Sequence, residues 1–422
     1  MHKIKNSLLL VTAICGLIFS FSGCSKKQEK RLVIWTDNSE FASYIEIYNE
    51  YHKNKAVLIY KDNLAASLPP MRDELHPDLI VGTWLRNSKI KKNFEPIDFL
   101  FERNYLSSSD FYETLLSAGK AKYSQYLLPV SFNIPAVIYS KQNKDLVDGS
   151  YSISLDQLKT QGAAFNKKNK KGVYTSIGFA PQSNDNFLYV VTKMKGAGYT
   201  EEKNGSFTWN QDKLQRAIAF LNQWISEVNT SSQTESDFVY KYLTVKDEKK
   251  VTGGKTLFAY ITSDRLFQLP KEQISKLEFR WLENDGLIPV EDSLNMMGIS
   301  KNSVHQAEAV DFISWFFKSE TQRLILDKKA RMNLDNSPFG IAGGFSTIKD
   351  INDYILPVYY KPLLTNIPQA GTFSISEKRP ANWETMKARI IIPYIKDSIT
   401  AVPGKKNPSI EERYSEFKKL GY

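Results

Sequence analysis

Residues 31–62, RLVIWTDNSEFASYIEIYNEYHKNKAVLIYKD, constrain the fold of this chain more than any other stretch. Residues 31–35 form a short apolar run with β-branched side chains and predict a strand. Thr36, Asp37, Asn38 and Ser39 follow as consecutive helix N-cap candidates, since each side chain can accept from an unpaired amide of the first helical turn. Apolar residues then fall at Phe41, Tyr44, Ile45, Tyr48 and Tyr51, a spacing that lays them on one helix face able to cover a sheet. Residues 56–60 return as a second strand. In such a β-α-β unit, ligands meet the turn at the carboxyl end of the first strand, where helix amides also point. Trp35, Asp37 and Asn38 occupy that turn and are expected to form one wall of a ligand site. Each has a plainer alternative: Trp35 can equally be core, and Asp37 and Asn38 can equally be helix caps.

With 422 residues the chain is too long for one compact core, so two lobes are expected. The net charge of +10 raises nucleic acid as a partner. The basic residues are dispersed, however, and the clusters at 26–27, 167–171 and 249–250 have the character of a tether and solvated loops, which argues against it. At the N-terminus, Lys3 and Lys5 precede an apolar stretch over 8–21, too short to span a membrane, which predicts a secretory signal. It ends in Phe21-Ser22-Gly23-Cys24, which resembles the lipobox of bacterial lipoproteins, with Phe where Leu is usual. The resemblance implies removal of residues 1–23, acylation of Cys24 (palmitate among the acyl groups), and a flexible tether over 24–30. The protein is then exported and membrane-anchored through its lipid, facing the periplasm or the extracellular space. Cys15, the other cysteine, falls inside the removed segment, so no disulfide is expected.

Further along, residues 77–84 (PDLIVGTW) read as a buried strand ending at a second aromatic turn with Trp84 and Arg86. Residues 126–139, YLLPVSFNIPAVIY, are extended and interrupted by Pro129 and Pro135, the pattern of a segment that leaves one sheet and enters another. Asn210 caps a helix with Leu214, Ile218, Leu221 and Ile225 on one face. Residues 255–262 predict a strand followed by a Ser263-Asp264-Arg265 turn, 277–281 and 296–300 further strands, and 305–317 an amphipathic helix. Residues 338–344 are a glycine-rich break, and 353–364 and 382–400 are the last helical segments. Strands alternating with helices give an α/β class.

Little catalytic chemistry is visible. His52, His76 and His305 have no metal-ligand spacing, and there are no paired cysteines, so no metal or cofactor is expected. Gly254-Lys255-Thr256 imitates the end of a phosphate-binding loop but follows a polar loop instead of a strand. No Gly-x-Ser-x-Gly elbow is present, and nothing marks one Asp or Glu as catalytic. A non-enzymatic role is expected.

The order of segments resembles the extracellular solute-binding proteins of bacterial ABC importers, the family-1 sugar-binding group that includes maltose-binding protein. The motifs are RLVIWTDNSEF, PDLIVGTW, LLPVSFNIPAVIYSK, GGKTLFAYITSDRL and MGISKNSVHQAEAVDFISWFFKSETQ, in that order. The resemblance implies a two-lobed periplasmic-binding-protein type II fold with a hinge and a ligand cleft. Crossings are expected near 130–133, 294–297 and 340–345, with lobe one over 31–132 and 298–342 and lobe two over 133–297 and 343–422. Carried over residue by residue, it implies ligand contacts from Trp35, Asp37, Asn38, Trp84, Arg86, Asn133, Asp264, Arg265 and Asn295, and more weakly from Phe345 and Trp383. Asn133 and Asn295 can also serve only the hinge backbone. Asp264 and Arg265 replace a frequent family Trp, which argues against a long oligosaccharide stacked on that wall. Implied partners are a mono- or oligosaccharide and membrane permease subunits, with the protein a monomer and no nucleic acid bound. The alternatives are a lipid-anchored polysaccharide-degrading enzyme and a surface interaction lipoprotein.

Overall fold

The computed structural model describes residues 31–148, 151–332, 337–400 and 406–420. The expected signal peptide, Cys24 and the tether lie outside the described residues. The elements that position the site are β1 (Arg31–Thr36), α1 (Phe41–Tyr51), β2 (Lys55–Tyr60), β3 (Leu79–Gly82), β4 (Leu128–Phe132), β5 (Pro135–Ser140), β6 (Ser152–Ser154), α2 (Asp185–Met194), α3 (Gln211–Glu227), β7 (Phe258–Thr262), β8 (Leu277–Glu283), β9 (Asn295–Ile299), α4 (Gln306–Phe316), α5 (Ser319–Met332), β10 (Phe345–Ser346) and α6 (Ile392–Ile399). Two sheets organise them: a six-stranded one ordered β10-β4-β9-β3-β1-β2, and a four-stranded one ordered β7-β5-β8-β6. This is the expected two-lobed α/β architecture. No helix among the described residues is long and apolar enough to cross a membrane.

The opening unit folds as its pattern predicts, with β1 parallel to β2 in register from Arg31–Lys55 to Thr36–Tyr60. Phe41, Tyr44, Ile45 and Tyr48 of α1 are buried, whereas Tyr51, expected on the same face, is exposed at the last turn. The face meets α4: Phe41 stacks on Phe316 at 5.5 Å, and Tyr48 lies 5.0 Å from Phe312 and 5.2 Å from Trp315 between ring centres.

Two of the quoted motifs are joined by one buried carboxylate. Asp78 accepts from the Val33 amide at 3.0 Å, from the Ser303 hydroxyl at 2.9 Å and from the His305 amide at 3.3 Å, and pairs with His305 Nδ1 at 3.1 Å. It thereby fixes the turn before α4 to the edge of β1. Gln322 of α5 does similar work farther on, accepting from Ser346 Oγ at 2.6 Å on the strand β10.

The chain leaves the first sheet at β4 and enters the second at β5, with Asn133 and Ile134 between them. It returns after β8 to β9. The third crossing is not at 340–345. Gly340, Ala342 and Gly343 take left-handed φ values of 56°, 48° and 79° and make a tight turn that delivers β10 to β4 inside the six-stranded sheet. Residues 343–346 therefore sit with the first sheet, as do Asn295–Met297, which pair with Ser131–Leu128 and Met297–Met296 with Val81–Gly82. The chain reaches the second sheet's side later: Phe373–Ser374 pairs with Ile288–Pro289, and α6 packs on α2 and α3.

Candidate functional site

The turn after β1 is occupied by its own structure. Trp35 is fully buried, its indole N–H donating to the Leu75 carbonyl at 3.1 Å and Lys61 Nζ lying 4.2 Å over its ring. Its expected place in an accessible cleft is corrected: β1 is an interior strand covered on both faces, so successive residues are buried whichever way they point. Asp37 accepts from the Thr83 amide through both oxygens, at 3.2 and 3.1 Å, and from Thr83 Oγ1 at 2.6 Å. Burial pushes its carboxyl up, opposed by these bonds. A β-carbon on Gly82 would stand 2.1 Å from Asp37 Oδ1, so only glycine lets β3 approach so closely. Asn38 receives the Glu40 amide at 3.0 Å and donates to the Ala342 carbonyl at 3.0 Å.

That carbonyl is a meeting point. Ser131 Oγ and Asn295 Nδ2 also donate to it, each at 3.2 Å, while the Ala342 amide donates to Tyr44 Oη at 2.9 Å. Asn133 donates to the Gly343 carbonyl at 3.0 Å and accepts from Ser263 Oγ at 2.6 Å. Asn133 and Asn295 thus bond the 342–343 turn from the two crossings, although Asn295 Oδ1 is buried without a partner. Phe345 is core, 5.6 Å from Phe132 and 5.7 Å from Trp281 between ring centres. Arg265 is exposed, while Asp264, one residue before it, has its Oδ1 buried and unpartnered.

The second turn is different. Trp84 is half-buried and held at φ 59°. A left-handed backbone is an outlier for so bulky a residue, and such strain persists where the surroundings enforce it, commonly at functional positions. Trp84 and Arg86 face residues 291–294 and 375–379 across a narrow cavity whose free interior, about 20 Å³, holds roughly one water. Glu291, Asp292, Ser376 and Arg379 line the far side. This cavity lies where the two sheets' sides meet, and Trp84 and Arg86 are the expected site residues that line it.

Asp292 organises the far wall. It accepts from Lys193 Nζ of α2 at 2.8 Å, Ser376 Oγ at 2.6 Å, Trp383 Nε1 at 3.3 Å and the Tyr189 hydroxyl, with Arg379 Nε 3.7 Å away. Burial alone would raise its carboxyl, but Lys193 and Arg379 prevail and hold it well below the usual carboxylate range. Trp383, expected as a weak ligand contact, is fully buried behind this group, with the Arg379 guanidinium 5.1 Å over its ring. Glu291 and Asp292 were not singled out from sequence. The available signal was an acidic pair immediately before a strand at a crossing.

The rim of the cavity is bridged. Arg86 Nε donates to the Ala118 carbonyl at 2.9 Å on its own side, while Nη1 donates to the Ser376 carbonyl at 2.5 Å on the other. Ser88 gives its amide and hydroxyl to the Glu201 carboxylate at 2.5 and 2.9 Å. Among the described residues no three His, Cys, Asp or Glu side chains gather into a group that could hold a metal ion.

A family model described as bacterial extracellular solute-binding protein matches residues 76–323, more than half of the chain. No curated protein sequence matches. Among solved structures, the sugar-binding protein MalE from Xanthomonas citri is similar with a TM-score of 0.67 at 11% identity, covering 92% of this chain and 96% of that one. CpMnBP1 with mannotriose bound has a TM-score of 0.59 at 19% identity over 93% of this chain and 100% of that one. The maltose-binding periplasmic protein MalE from Listeria monocytogenes, in complex with maltose, has a TM-score of 0.59 at 15% identity over 94% and 100%. At these identities the likeness is one of fold.

Proposed function

Because the chain belongs to the bacterial extracellular solute-binding protein family, we propose that it captures a small carbohydrate between its lobes and presents it, closed, to the membrane permease of an ABC importer. The observation that carries this reading is the inter-lobe cavity with Trp84 on one side and hydrogen-bonding charged groups on the other. A sugar ring has an apolar C–H face that an indole covers and edge hydroxyls that need fixed donors and acceptors. As it stands the cavity has room for about one water, so a sugar enters it only when the lobes part. Similarity in fold to proteins described with maltose and mannotriose bound supports the same class.

The role is binding and not turnover. On the family resemblance the mature protein is a monomer that serves a permease, and on the lipobox resemblance acylated Cys24 tethers it to the membrane. The first sheet's side and the second sheet's side move as lobes about Asn133–Ile134 and the 288–294 return, and the Arg86 and Ser88 bridges hold the closed form. Calorimetry with the full chain against glucose, mannose, maltose and mannobiose tests the reading. Saturable heat with one of them, lost in Trp84→Ala, is expected; absence of heat with every sugar overturns the carbohydrate assignment.

A further inference from the structure

Glu291 and Asp292 are adjacent carboxylates on the cavity wall with opposite hydrogen-bonding states. Asp292 is saturated by donors from Lys193, Ser376, Trp383 and Tyr189. Glu291 receives, among the described residues, one long bond from the Tyr260 hydroxyl at 3.4 Å. Its second oxygen has no donor, although an ionised carboxylate can accept about four hydrogen bonds. Burial pushes the Glu291 carboxyl up, and Lys193 opposes this only through space. Glu291 is half-buried, so its carboxylate lines the cavity with accepting capacity that the protein leaves unused.

Its backbone is fixed, which makes the side chain's placement specific. The Glu291 amide donates to the Asn133 carbonyl at 2.8 Å, in the first crossing, and the Val290 amide donates to the Ser374 carbonyl at 2.9 Å. The carboxylate therefore stands at the root of the cleft, where the lobes join, and opens into the cavity that Trp84 faces. On the same wall Arg379, 5% exposed, keeps a buried Nε with no hydrogen-bond acceptor. The missing partners are donors for Glu291 and an acceptor for Arg379. A ring bearing neighbouring hydroxyls provides both. An ammonium group would supply donors to Glu291 but would confront the two guanidinium groups of Arg86 and Arg379 in the same cavity.

The geometry points to Glu291 as the ligand-binding acceptor for two neighbouring hydroxyls of a neutral sugar, a residue role that rests on the carbohydrate reading above. Asp292 beside it is a positioning residue that orients Arg379 and keeps the wall rigid.

The test is calorimetry and thermal unfolding of the full chain, wild type and Glu291→Gln, with glucose, mannose, maltose and mannobiose. Glu291→Gln is expected to weaken the sugar that wild type binds by about tenfold or more, as loss of charge-assisted bonds does, while Tm is unchanged. Monodeoxy analogues of that sugar give a second readout that does not need the glutamine variant to fold. Wild type should lose about tenfold at two adjacent hydroxyl positions, and Glu291→Asp, which keeps the charge and withdraws it, should lose that pattern. Binding by Glu291→Gln within about twofold of wild type, or a deoxy profile unaltered in Glu291→Asp, overturns the assignment while leaving the carbohydrate reading intact. A wild-type chain that binds none of the sugars overturns both together.

Discussion

The turn after β1 and the wall around residues 291–292 hold similar chemistry, aromatic rings beside acids and amides, and put it to opposite uses. In the turn every candidate is occupied by the protein. Trp35 is enclosed, Asp37 is filled by Thr83, and Asn38 is bound to Glu40 and Ala342. Across the cavity, Asp292 is equally filled but Glu291 is not, and Trp84 retains an open face. Residue type and position after a strand do not make a ligand contact. Unfilled hydrogen-bonding capacity facing a cavity is what sets Glu291 apart from the residues of the turn.

That contrast can be broken by substitution. The largest expected effect is from Trp35→Ala, which empties a fully buried site and should cost about 3–5 kcal/mol of stability, measured by urea unfolding. Sugar affinity per folded molecule should stay unchanged; a selective loss of affinity at full stability would return Trp35 to the site. Asp292→Asn should cost about 3 kcal/mol, because Lys193 and Arg379 are left as buried charges without a counter-charge. Since the folded carboxyl lies below the unfolded value of 3.8, the stability it contributes is fully present above that value and is lost as pH falls through the folded one. The asparagine variant should therefore show a flatter acid limb than wild type in unfolding at low pH.

Trp84→Ala addresses the other side of the comparison. It should weaken sugar binding by about tenfold or more, roughly 1.5 kcal/mol, with little change in Tm, since the side chain is only half-buried. Equal affinity in this variant would remove the one aromatic that the cavity offers. A smaller effect follows from Asn38→Ala, about 1 kcal/mol of stability with affinity unchanged. Smallest in energy is Arg86→Ala combined with Glu201→Ala, which removes the rim bridges. Small-angle scattering of the unliganded chain should report a larger radius of gyration, and affinity should shift by no more than a few-fold because the Ser88 pair is exposed and the Arg86 pair only partly buried.

Much of the fold was legible because it rests on local patterns. The β1-α1-β2 unit, the prolines flanking Asn133 and the Asn210 cap each carry their instruction within a few residues, and Asn210 does accept from the Lys213 amide at 3.0 Å. Depth was not legible. Alternation tells inside from outside only where one face of a strand is wet, and β1 is covered on both. The third crossing was misplaced because a glycine-rich stretch signals a sharp turn without saying which sheet the turn serves. One side of the candidate cavity's lining was readable, since Trp84 and Arg86 follow a recognisable strand. Glu291, Ser376 and Arg379 come from irregular segments far apart in the chain, and only folding brings them to one wall.

The strand order of the six-stranded sheet bears on how the chain is made and moved. β3 and β4 do not pair with each other; β9 lies between them, and β10 closes the edge beyond β4. A nascent chain can therefore assemble β2-β1-β3 early but cannot join β4 to it until residue 299 has emerged, nor finish the edge before residue 346. Pairings so distant in sequence form slowly, because the intervening loop entropy is lost before the contacts form. For a member of an extracellular family, completion of this sheet is thus held back until most of the chain is available to pair.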